Sequence, residues 1–108
     1  MIVKLKRKSV RYPDLSAGQH YLVIGIEADD LRILNDQGRP YLYPPRRFKV
    51  VDPTEPEGWK QEIGDDGERY AYPPPFNRVG FFEDFCDGKK SVVAAFWRAV
   101  NKHLAAAS

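Results

Sequence analysis

The chain has 108 residues, 43% of them apolar and 30% charged, which fits one folded domain with a modest core and excludes the disordered class. A single cysteine, Cys86, excludes an internal disulfide and points to a reducing compartment. The run from Met1 to Lys6 is broken by charge before it resembles a secretory signal, and the apolar run from Tyr21 to Ile26 is far too short to span a bilayer. The expectation is therefore a cytoplasmic protein with no membrane partner.

The net charge of +2 hides a block structure. Residues 1–49 carry ten Lys/Arg against five Asp/Glu, residues 50–87 three against ten, and residues 88–108 four against none. Either the acidic middle packs beside the basic flanks and neutralises them, or the basic half is a face for an acidic partner.

In chain order, residues 2–6 alternate with Val3 and Leu5 on one side and Lys4 and Lys6 on the other, the period of a half-buried strand. Gly18 precedes the β-branched and aromatic run Tyr21–Ile26, which reads as a buried strand. Glu27 to Asp30 supplies a polar turn before the alternating run 31–35. An Asp-x-Gly turn leads into Tyr41-Leu42-Tyr43, Pro44 to Arg47 form a short helical turn or kink, and Phe48 to Val51 make the next strand.

Residues 52–68 are an acidic connection punctuated by Pro and Gly, with Trp59, Gln61 and Ile63 at period two before a second Asp-x-Gly turn. Pro73 to Pro75 predict a short extended polyproline segment. The phenylalanines between Gly80 and Phe85 are expected to dock on a small β-barrel, with Cys86 buried among them. Asp87 is placed to cap a C-terminal amphipathic helix within residues 88–105. Its apolar stripe is Val92, Val93, Phe96, Trp97, Val100 and Leu104.

One pattern occurs twice. Asp36 to Pro45 and Asp65 to Pro74 both read D-x-G-x-x-Y-x-Y-P-P, which is one β-element used in duplicate. Residues two apart on a strand share a face, so Tyr41 with Tyr43 and Tyr70 with Tyr72 form two ledges. If Leu42 and Ala71 point inward, both ledges face outward and stack on a partner; the competing reading has each ledge packed against the chain itself.

The L-x-x-G-x-x-Y-x-V run (Leu15, Gly18, Tyr21, Val23), the turn from Asn35 to Gly38 and the Tyr-Pro turn before Phe48 resemble the SH3-like small β-barrel. The resemblance is to the small modules in bacterial and phage proteins, and it covers residues 1–52. It implies an architecture and no chemistry. The aromatic and acidic loop pattern of proline-peptide-binding members does not occur, so that ligand is not implied.

Catalytic chemistry is thinly represented. His20 and His103 are far apart without metal-ligand spacing, and no second cysteine accompanies Cys86. The carboxylate pairs at 29–30, 65–66 and 83–84 fall where turn and helix-start side chains bond backbone N–H groups. The sequence therefore predicts a mainly β fold with one C-terminal helix. It divides into an SH3-like barrel (1–52), an acidic hairpin extension (53–87) and the helix (88–105). The expected role is a non-catalytic interaction module without cofactor or metal, binding a protein or peptide through Tyr41, Tyr43, Arg46, Arg47, Tyr70 and Tyr72. Nucleic-acid binding by the basic N-terminal half is the alternative, and the helix is a candidate dimer face.

Overall fold

A computed structural model describes residues 1–107, and its seven strands form a single antiparallel sheet. The strands are β1 (Ile2–Leu5), β2 (His20–Glu27), β3 (Asp30–Leu34), β4 (Pro40–Tyr43), β5 (Phe48–Asp52), β6 (Lys60–Ile63) and β7 (Arg69–Tyr72). Two helices follow, α1 (Phe81–Cys86) and α2 (Lys90–Ala107). The mainly β class with a C-terminal helix is as the strand pattern predicts.

The order β4-β3-β2-β1-β5 makes β2 the hub of the sheet. Along one edge, β2 pairs with β3. Its other edge is shared: the first residues pair with β1 through Ile2 opposite Leu22, and the last pair with β7 through Ile26 opposite Ala71. The two ribbons β1–β5 and β7–β6 therefore leave β2 at different places and part between them.

A strand with a core on both faces carries a continuous apolar run instead of an alternating one, and Tyr21–Ile26 is such a run. Tyr21, Val23 and Ile26 join Val3, Leu5, Ile33 and Phe48 in one core. Ile24 joins Tyr72, Phe76, Phe81, Phe96 and Val100 in a second core, which lies between the sheet and the helices.

Turn chemistry follows the sequence closely. Gly38 and Gly67 adopt φ of 71° and 81°, a left-handed conformation that costs glycine little. Both copies of the repeat close alike: Gly38 N–H donates to Asn35 O at 2.9 Å and Gly67 N–H to Gly64 O at 3.0 Å. The β2–β3 turn instead places Ala28 and Asp29 at φ of 49° and 69°.

Three local expectations are corrected. Pro74–Phe76 form a 3-10 turn, not an extended polyproline segment, because Phe76 must swing into the second core. The segment after Gly80 coils into α1, so Asp87 closes that helix (its N–H donates to Glu83 O at 2.9 Å) and does not cap α2. Cys86 is exposed, because α1 turns Phe81 and Phe85 inward, four residues apart on one helix face. The stripe on α2 also divides. Val92, Phe96 and Val100 are buried, while Trp97 is 37% and Leu104 47% exposed.

Candidate functional site

The two tyrosine pairs share a sequence but face opposite layers. On β4, Tyr43 lies opposite Leu31 and enters the first core, while Leu42 lies opposite Arg32 on the helix side. On β7, Ala71 enters the first core and Tyr72 the second. A shift of one residue in which side faces a core reverses every side chain of a strand. The inward placement holds for Ala71 and fails for Leu42.

Neither Tyr43 nor Tyr72 forms an outward ledge, since they are 3% and 5% exposed. The Tyr43 hydroxyl donates to Asp14 Oδ2 at 2.8 Å and accepts from Asn35 Nδ2 at 3.1 Å. Its neighbour Asp36 accepts from Ser16 Oγ and from the Tyr21 hydroxyl, both at 2.6 Å. These bonds tie the long loop between β1 and β2 to the β3–β4 turn. Burial pushes the Tyr43 phenol well above its ordinary range, so it remains a neutral donor.

Tyr72 is held by charge as well as by packing. Arg32 Nε donates to its hydroxyl at 2.9 Å, and that hydroxyl donates to Glu27 Oε1 at 3.0 Å. Arg32 also donates to Pro40 O at 2.9 Å and to Glu27 at 3.1 Å, with its guanidinium 3.9 Å from the centre of the Phe82 ring. A buried cation needs such partners on several sides. Tyr70, half-buried, stands with Glu27, Arg32 and Arg78 around a cavity of about 320 Å³.

Of the predicted surface, Tyr41 is 39% exposed and Arg46 is exposed. Arg47 is half-buried, its guanidinium 5.7 Å from the ring of Tyr12, which meets Tyr43 edge-on at 5.5 Å. The first copy and the arginines thus gather around the β4–β5 turn, apart from Tyr70 and Tyr72. Among the described residues, the ion pairs are Arg32–Glu27, Arg69–Glu55, Arg78–Asp84 and Lys89–Asp84. Of the acidic middle, Glu55 and Asp84 are the acids in these pairs, with partners Arg69, Arg78 and Lys89, while Lys4, Lys6, Arg7, Arg46 and Lys49 are in none of them.

A larger groove opens where the two ribbons part. Its volume is about 620 Å³ and its floor is Leu22 and Ile24 of β2. Trp59, Pro73–Pro75 and, from α2, Ala99 and His103 line it. The rings of Trp59 and His103 meet edge-on at 6.1 Å. Burial holds the His103 imidazole below its ordinary value, with the Met1 ammonium as the smaller cause. Sequence reasoning missed this site, because its walls come from five separate segments. The available sign was Trp59, a large aromatic in an acidic, proline-rich connection.

Among the described residues, no group of three or more His, Cys, Asp or Glu is placed to hold a metal ion. No helix among them is long and apolar enough to cross a membrane. No protein-family model, curated protein or solved structure matches the chain.

Proposed function

We propose that this chain is a non-catalytic interaction module that seats a segment of a protein partner in the groove beside Trp59. The groove itself carries the reading: its volume of about 620 Å³ lies within the range of ligand sites, and its lining is mostly aliphatic, proline and aromatic, with Asp52, Glu57 and Lys102 as its charged members. An extended peptide buries apolar side chains against such walls and leaves its charged groups at the rim. Tyr41, Arg46 and Arg47 are further contacts that we assign to the partner, in place of two symmetric tyrosine ledges. The resemblance to SH3-like modules is supported by β1, which pairs with both β2 and β5 and is followed through the chain by a 3-10 turn at Pro45–Arg47. The test is selection of peptides from a display library, followed by Ala99→Arg, which fills the groove from its helix side. Loss of binding at an unchanged melting temperature is expected, and undiminished binding by the variant would end the reading.

A second reading, nucleic-acid binding, is favoured by the exposed cations Lys4, Lys6, Arg7, Arg46 and Lys49, which lack ion-pair partners among the described residues. It predicts a gel shift that weakens steeply with salt, with a flatter slope for Arg46→Ala combined with Arg47→Ala. No shift at low salt would remove it.

A further inference from the structure

Lys4 sits directly between two other basic side chains. Antiparallel pairing puts it opposite His20 on β2 and opposite Lys49 on β5, and all three residues are exposed. Side chains directly opposite one another lie on the same face, about 5 Å apart at Cβ, and like charges in that relation destabilise a sheet. Lysine on an exposed edge strand has an ordinary explanation, since it deters pairing with other chains. That explanation serves Lys49, because β5 pairs only with β1. It does not serve Lys4, because β1 is paired on both sides.

Nothing within the described chain offsets the repulsion by an ion pair. The four pairs among the described residues involve none of Lys4, Lys49 and His20. Asp52, opposite Ile2, is the acid one step along the ladder; it stands at the edge of the groove, accepts from Thr54 N–H at 2.9 Å and forms no ion pair with Lys4 or Lys49. Lys6, two residues beyond Lys4, is exposed, and its N–H donates to Arg47 O at 2.9 Å, which extends the basic row toward Arg46.

The row is continuous with the groove. Ile2 and Leu22, which line the groove, occupy the same sheet face as Lys4 and His20, two residues earlier on β1 and two later on β2. Two residues of strand span about 7 Å. One extended ligand therefore reaches both surfaces. The groove takes apolar side chains, and the row takes negative charge.

Resting on the groove reading, we infer that the partner segment is an apolar peptide continued by carboxylates, its Asp or Glu residues lying over the row Lys49–Lys4–His20. Carboxylates about two to four residues from the apolar anchors match the distance between the two surfaces. A nucleic acid would reach the row with its phosphates but needs open aromatic faces for its bases, and Trp59 is only 7% exposed among mostly aliphatic and proline walls, which is why an acidic peptide fits better.

The experiment uses the full chain and four fluorescent probes: a leucine-rich peptide ending in a glutamate run, its glutamine and lysine versions, and an oligothymidine. Exposed pairs contribute modestly, so the glutamate peptide should bind about tenfold tighter than the glutamine peptide at low salt, and the difference should shrink as salt rises. Lys4→Gln with Lys49→Gln should erase that difference. Lys4→Glu with Lys49→Glu should transfer the preference to the lysine peptide. The Gln pair relieves repulsion, so its melting temperature should not fall, which separates lost binding from lost folding. Equal affinity for the glutamate and glutamine peptides overturns this inference and leaves the groove reading standing. No affinity for either overturns both. Tighter binding of oligothymidine than of the glutamate peptide at equal ionic strength overturns it in favour of nucleic acid.

Discussion

The ring of Tyr72 packs against the backbone of Gly25, its Cδ1 and Cε1 edge in the space where any β-carbon on that residue would sit. The contact joins the hub strand to the second hairpin, and it lets the Tyr72 hydroxyl reach both Arg32 and Glu27. Gly25 is thus required by a close approach from the neighbouring strand, at the irregularity in the β2–β3 register, and not by a left-handed φ.

Gly25→Ala should destabilise the protein by about 2–3 kcal/mol, the usual cost of forcing extra volume into a packed core. Urea unfolding checks the value. Because Tyr72 must move, its bonds to Arg32 and Glu27 are lost together, so Gly25→Ala and Tyr72→Phe should be strongly non-additive. Full additivity would show that the Tyr72 hydroxyl keeps its bonds to Arg32 and Glu27 when Gly25 is replaced.

Tyr43→Phe should cost about 1–2 kcal/mol, because it leaves Asp14 and Asn35 short of a partner in a buried setting. Tyr41→Phe should cost less than about 0.5 kcal/mol, the range of ordinary surface changes. Equal losses in thermal unfolding would contradict the opposite placements of these two neighbours.

Ala28→Asn should stabilise the β2–β3 turn by about 0.5–1 kcal/mol. Alanine there holds φ of 49°, a left-handed conformation costly for it and better tolerated by asparagine. Asp29 should be left in place, because its Oδ1 accepts from Arg69 N–H at 2.9 Å and links the turn to β7. A melting temperature unchanged or lowered by Ala28→Asn would count against the turn geometry.

Acidification should weaken the groove through His103. Burial lowers its pKa in the folded chain, so above the ordinary histidine value both states are neutral and the residue contributes no pH dependence. As the pH falls through that value, the unfolded chain takes up the proton first, and stability declines until the folded imidazole is also protonated. Chemical unfolding between neutral pH and pH 5 should show this loss, and His103→Asn should reduce it, leaving the part that the Met1 ammonium, also held below its ordinary value by burial, contributes. A slope identical in the variant would assign the effect elsewhere.

Much of the architecture was legible because it depends on near neighbours. Gly38 and Gly67 marked their turns, the unbroken run Tyr21–Ile26 announced a strand covered on both faces, and Val92, Phe96 and Val100 shared one face of α2. The short helix α1 was not anticipated, because five apolar and acidic residues after a glycine have no decisive periodicity. Cys86 was misplaced for the same reason, since its exposure follows from the helix face that Phe81 and Phe85 occupy.

The sequence by itself determined the succession of strands along the chain, the sites of their turns and the duplication of one tyrosine-bearing element, since each rests on patterns within a few residues. Only the tertiary structure decided which way each copy faces. A strand's side chains alternate identically in both copies, and the covering layer selects the buried set: the first core for Tyr43, the helix side for Tyr72. The groove belongs to the same category. Its walls meet because β1 and β7 share one edge of β2 and then part, a consequence of long-range pairing that no local pattern encodes.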